Sequence, residues 1–180
     1  MRISVERDIL LKSLNHIQSV VERRNTIPIL SNVKIIANES GISLTATDLD
    51  LEIIENLDKA TTLDQGKITT SAHTLYDIVR KLPEGSSLDI TAKDNEKLDL
   101  VCGQSNFELS TLPIEDFPEM SAGEMPFNFT IDTEELASMI DKSKFAISTE
   151  ETRYYLNGIF FHAINNSLRS VATDGHRLAC

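Results

Sequence analysis

Apolar residues over positions 1–124 fall into two spacings. In "MRISVE", Ile3 and Val5 stand between polar neighbours, the period-two pattern of a half-buried strand. Leu10, Leu14, Ile17 and Val21 follow at helical spacing and predict an amphipathic helix over residues 8–22. "NVKIIAN", "GISLTAT" and "DLEIIENL" are rich in β-branched residues and punctuated by Asn and Gly, which predicts three strands. "GKITTSA" predicts a further strand, and "HTLYDIVRKL" a second helix stopped by Pro83 and Gly85. "SLDITAK", "KLDLVCG" and "NFELSTL" complete the series with three more strands. The predicted order is β-α-β-β-β, given twice, an α+β class.

The pattern then starts again. "EDFPEMSAGEMPF" reads as a linker, and "FTIDTEELASMIDKSKFAIS" reopens the cycle with Leu136, Met139, Ile140 and Phe145 as its apolar side. Ala-Thr-Asp occurs at Asp48 and at Asp174, 126 positions apart. The same shift sets Val5 on Ile131, Leu10 on Leu136 and Leu30 on Leu156 without a gap. Two copies of one unit are expected. The first domain covers residues 1–124, and a second occupies 125–180 and stops before its core is complete. A unit left open exposes strand edges and apolar faces, so a fragment of a longer polypeptide is expected.

Composition narrows the class. The chain has 180 residues, 41% hydrophobic and 25% charged, enough to bury a core. Two cysteines, Cys102 and Cys180, give no disulfide framework and no CxxC metal site. The start carries charges at residues 2, 6, 7 and 8, unlike a signal peptide, and no apolar run is long enough to span a membrane. A cytoplasmic protein with no membrane partner is expected. The net charge of −11 argues against broad phosphate contact but leaves room for one basic face.

"ATDGHR", residues 172–177, looks like catalytic equipment. One reading is a small metal- or histidine-dependent hydrolase centred on Asp174 and His176. Against it, the chain has no G-x-S-x-G elbow, no H-E-x-x-H and no P-loop, and only 7 glycines. Gly175 fits a tight turn. Asp48, Asp50 and Glu52 alternate, which on a strand gathers three carboxylates on one face; a solvated outer face is expected there rather than a cation site. No cofactor, metal or catalytic residue is expected.

"VATDGHRLA", together with "RYYLNG", "TLPIEDFP" and "TIPILSN", closely resembles the bacterial sliding-clamp family, the β subunits of the replicative DNA polymerase III holoenzyme. The resemblance covers all 180 residues. It implies a DNA-clamp fold: three similar domains per subunit, with two subunits closing head to tail into a homodimer ring. Helices line the hole around duplex DNA and sheets form the outside. This chain would supply the first domain and the start of the second, with the third domain absent. The implied function is a non-catalytic processivity factor in DNA replication, binding DNA without regard to sequence.

The resemblance also assigns residues. The turn around Asp174 would wall a groove into which the polymerase, the clamp loader and repair proteins insert a short peptide. Leu156 and Leu178 would form its floor, and Thr173, Gly175, His176 and Arg177 its rim. DNA contacts fall to Arg24, to Arg153, Tyr154 and Tyr155 on one loop, and to Arg80 and Lys142 on helix faces. Arg7, Lys12 and Lys144 share the polar side of those helices. Glu150 stands where the family has a glutamine, and Glu151 adds a second acid. Ile78, Phe107 and Leu109 would be the apolar core of the contact with a second subunit, while Thr74, Gly103 and Ser105 replace the basic residues that often accompany them.

Overall fold

The structure is a computed structural model that describes residues 1–21, 26–93, 97–120, 123, 126, 128–165 and 167–180. It divides into two compact units, residues 1–121 and 122–180.

In the first unit, β1 (Arg2–Glu6) buries Ile3 and Val5 and leads directly into α1 (Arg7–Ile17). Leu10, Leu14 and Ile17 form the buried stripe of α1. The helix ends at Ile17, short of the expected residue 22. Ser19 Oγ donates to the His16 carbonyl at 2.6 Å, and the Ser19 and Val20 amides bond three residues back, which tightens the last turn and ends the helix. Val20 and Val21 still reach the core from beyond it.

β2 (Asn32–Asn38), β3 (Gly41–Thr47) and β4 (Glu52–Asn56) form a meander, with β6 (Gly66–Ser71) on the other side of β2. A short strand that the pattern did not predict, β5 (Thr61–Asp64), pairs antiparallel with β1. α2 (Ala72–Lys81) begins at Ser71, whose hydroxyl accepts from the Thr74 amide, and ends before Pro83. β7 (Ser87–Lys93), β8 (Lys97–Cys102) and β9 (Ser105–Ser110) follow. The result is a five-stranded sheet ordered β5-β1-β7-β8-β9 and a four-stranded sheet ordered β4-β3-β2-β6. Both sheets and both helices contribute to one core, with Ile3, Leu10, Ile35, Leu44, Leu75, Leu88 and Leu100 fully buried and Cys102 beside them.

Arg7 departs from expectation. It is only 9% exposed, and its guanidinium donates to the carbonyls of Val79 (3.1 Å) and Arg80 (2.8 Å) and to the Asp8 carboxylate (2.7 Å). Those carbonyls lie in the last turn of α2, past the reach of i+4 amides; the Val79 carbonyl otherwise accepts a long bond from the Leu82 amide at 3.3 Å. Arg7 therefore caps α2 and is not on an outer polar face.

The second unit repeats the first in register. α3 (Thr133–Ser143) and β11 (Ser167–Thr173) are α1 and β3 displaced by 126 positions at both ends. β10 (Phe160–Ile164) and β12 (Leu178–Ala179) flank β11 in a three-stranded antiparallel sheet. Asp132 caps α3 by accepting from the Glu134 amide at 2.9 Å. Residues 128–132, the counterpart of β1 under the same shift, do not form a strand. In the first unit β1 is held by β5 and β7, whose counterparts under the same shift fall beyond residue 180. Of the apolar side expected for α3, Ile140 is 36% and Phe145, just past the helix, 56% exposed.

Candidate functional site

The opening motif forms a turn fixed by its own side chains. Asp174 Oδ1 accepts from the main-chain amides of His176 (2.9 Å) and Arg177 (3.0 Å), while Oδ2 accepts from Arg177 Nε (2.8 Å). Thr173 Oγ1 accepts from the Gly175 amide and donates to the Arg177 carbonyl. Gly175 sits at φ +89°, the region that glycine enters without penalty. These amide bonds, with Arg177 beside them, pull the Asp174 carboxyl from 3.8 to about 2.

The first unit builds the same turn. Asp48 Oδ1 accepts from the Asp50 and Leu51 amides (2.9 and 2.7 Å), and Thr47 Oγ1 from the Leu49 amide (3.0 Å). Leu49, in the place of Gly175, is forced to φ +82°. Asp48 and Asp50 therefore lie in a turn, and only Glu52 reaches a strand, so the expected row of three carboxylates on one strand face does not exist. Among the described residues no cluster of three His, Cys, Asp or Glu could hold a metal ion.

The two copies differ in what covers the turn. In the first, Leu30 is 3% exposed in a cluster with Ile29 and Phe117, and Met120 Sδ lies 3.4 Å from the Thr47 hydroxyl. In the second, Leu156 and Thr173 are half-exposed and Leu178 is 65% exposed. Gly175, His176 and Arg177 are exposed as well, and the Arg177 guanidinium lies 5.8 Å from the Phe145 ring centroid. Five of the six expected groove residues thus sit in or beside one accessible turn, and Leu156 ends the loop that Arg153 bonds to it.

Leu156 ends a loop that begins at Ser148, closed by the Ser148 amide donating to the Leu156 carbonyl at 3.1 Å. Tyr154 and Tyr155 project from it, 78% and 70% exposed, with their rings edge to face. Arg153 points elsewhere: it forks onto the Glu150 carboxylate through Nε and Nη2 and donates from Nη1 to the Asp174 carbonyl at 2.9 Å. Glu150 is accordingly held below the usual carboxylate range by the Arg153 guanidinium. The Glu150-x-x-Arg153 spacing is visible in the sequence, but nothing there signals the reach to Asp174.

The other expected contacts are dispersed. Arg80 is exposed on α2, paired with Asp77 at 3.1 Å and stacked near Tyr76. Lys142 is exposed in the last turn of α3, Lys12 is exposed on α1, and Lys144 pairs with Asp141. Arg24 lies outside the described residues. Ile78 and Phe107 are half-buried and line a groove of about 500 Å³ between α2 and β9. Leu109, expected with them, lines the same groove but is 5% exposed within the core cluster, so most of its side chain is taken up by the fold. β9 is the outermost strand of its sheet.

The hydrolase reading finds no support in this geometry. Asp174 bonds the His176 main chain, and its carboxylate is held ionised by amides, the opposite of a base poised near neutrality. No described helix is long and apolar enough to cross a membrane.

Residues 1–121 match the N-terminal domain of the DNA polymerase III beta subunit family and residues 130–180 its central domain. The beta sliding clamp of Caulobacter vibrioides is 52% identical over 99% of this chain, and that of Pseudomonas aeruginosa 42% identical, also over 99%. Among solved structures, pol III beta of Caulobacter crescentus superposes with a TM-score of 0.90 at 52% identity, covering 99% of this chain and 49% of that one. The sliding clamp of Bartonella birtlesii bound to griselimycin superposes at 0.89 and 49% identity, covering 99% of this chain and 48% of that one. The chain spans about half the length of the curated relatives it matches. With both family domains matched along its length and the clamp fold repeated in register, the chain belongs to the DNA polymerase III beta subunit family, the bacterial sliding clamps.

Proposed function

We propose that this chain works as part of a DNA polymerase processivity factor: a ring that encircles duplex DNA and tethers partners through a peptide-binding groove. The reading is non-catalytic and places the protein in the cytoplasm. The observation that carries it is the exposed floor and rim around the 173–178 turn, in a chain 52% identical to a beta sliding clamp. The first unit indicates the chemistry of an occupant. There the equivalent surface is covered in the same chain by an aromatic, Phe117, and a methionine, Met120, three positions apart. A relative's clamp bound to griselimycin fits a groove of this kind.

The replicative polymerase, the clamp loader and repair proteins would share the groove. Sequence-independent DNA contact falls to Arg24, Arg80 and Lys142, with Tyr154 and Tyr155 exposed for stacking on an unpaired base. Ring closure would use the Ile78–Phe107 groove and the outer edge of β9 against a second subunit.

A titration of labelled peptide ending in leucine and an aromatic tests the groove in the complete gene product. Burying one such side chain contributes roughly 1.5–3 kcal/mol. Leu178→Asp puts a charge on the floor and should weaken binding strongly. His176→Ala removes a rim hydrogen bond worth only about 0.5–1.5 kcal/mol and should do less. Loss of binding in His176→Ala, with normal binding by folded Leu178→Asp, contradicts the reading.

A further inference from the structure

Among the described residues, the guanidinium of Arg153 is the side chain that hydrogen-bonds the tyrosine loop to the Asp174 turn. Its fork onto Glu150 fixes it within residues 148–156, and its remaining arm donates to the Asp174 carbonyl at 2.9 Å. The Asp174 carboxylate is meanwhile taken by the His176 and Arg177 amides. The turn is therefore held from both sides, by its own carboxylate and by Arg153. Glycine suits this position: its φ is +89°, and a Cβ on residue 175 would lie 3.0 Å from Arg153 Nη1, so the guanidinium would have to give way.

The internal repeat supplies an independent observation. Under the 126-residue register, Arg153 corresponds to Ile27 and Gly175 to Leu49, so both members of the pair are exchanged together in the first unit. There the turn keeps its Asp and Thr bonds, with an isoleucine at the register position of Arg153. The arginine–glycine pair belongs to the copy whose Leu156 and Leu178 are accessible.

We infer that Arg153 is a positioning residue of the docking groove, a guanidinium that sets the 173–178 turn and the Tyr154–Tyr155 loop as one body. A peptide seated on Leu156 and Leu178 is then felt at the two tyrosines. This rests on the docking reading above, and it takes Arg153 out of the DNA contacts. Lysine is a poor substitute, because one ammonium does not reproduce a planar fork onto a carboxylate plus a third bond to a carbonyl.

The experiment uses the complete gene product and the labelled leucine–aromatic peptide. The double variant Tyr154→Phe, Tyr155→Phe serves as the blank, because the emission it lacks is that of the two loop tyrosines. Unsubstituted Arg153 should bind peptide with a change in tyrosine emission. Arg153→Lys, folded by circular dichroism, should bind about tenfold more weakly, lose that change, and exchange its His176 and Arg177 amides faster. Arg153→Ala should leave the salt dependence of DNA binding unaltered.

Two results would overturn the inference: Arg153→Lys binding within twofold with the same emission response, or Arg153→Ala lowering the salt slope by about 1, the mark of a lost phosphate contact. Failure of the unsubstituted protein to bind peptide would overturn the docking reading and this inference together, and is recognised without any variant.

Discussion

Leu49 and Gly175 hold the same place in two copies of one turn, at φ +82° and +89°, and do not tolerate it equally. A side chain in the left-handed region costs about 1–2 kcal/mol, and glycine returns roughly 0.5–1 kcal/mol of that as lost backbone entropy. Leu49→Gly should therefore stabilise the protein by about 0.5–1 kcal/mol, read as a higher urea midpoint at unchanged slope. Gly175→Ala should go the other way by about 1 kcal/mol, because it adds strain and meets Arg153. A lowered midpoint for Leu49→Gly would contradict the account. Asp174 makes a second test at this scale. Its folded pKa, about 2, lies below the ordinary 3.8, so its contribution to the turn is complete above pH 3.8 and fades as pH falls toward 2. The His176 and Arg177 amide resonances should keep their shifts until that range. Titration at the ordinary carboxylate value would show that the amide bonds are not formed.

At the scale of elements, Phe107 and Leu109 share one face of β9, two residues apart, and differ in depth. Leu109 faces Leu98 across the β8–β9 ladder and is buried, whereas Phe107 lies half-buried in the groove beside α2. Leu109→Ala should cost about 2–5 kcal/mol of folding stability. Phe107→Ser should cost less, about 1 kcal/mol, but weaken subunit association in the complete protein, measured by sedimentation. Equal effects on both quantities would place Phe107 in the core as well. The sequence pattern carried most of this architecture, because the apolar period distinguishes helices from strands and the 126-residue register needs no gap. It missed β5, whose four residues alternate weakly, and the early end of α1, which a serine hydroxyl decides. It put Arg7 on an outer face, since a capping guanidinium leaves no periodic trace. The family motif supplied the expectation of the six groove residues; it gave no sign of the Arg153 bond to Asp174, which joins residues 21 apart through a carbonyl.

At the scale of the whole molecule, the net charge of −11 over these 180 residues is consistent with the proposed encirclement of DNA, which needs few phosphate contacts. If Arg24 is one of those contacts, Arg24→Ala should lower the salt slope of DNA binding by about 1, whatever the base sequence. An unchanged slope would remove Arg24 from the set. The most direct measurement concerns topology. The complete gene product is loaded on nicked circular duplex DNA, isolated with it, and the circle is then cut once. Retention on the circle with release on linearisation is the predicted result. Protein that stays bound to the linear DNA, or never remains on the circle, would contradict the proposal that this chain is part of a ring around the duplex.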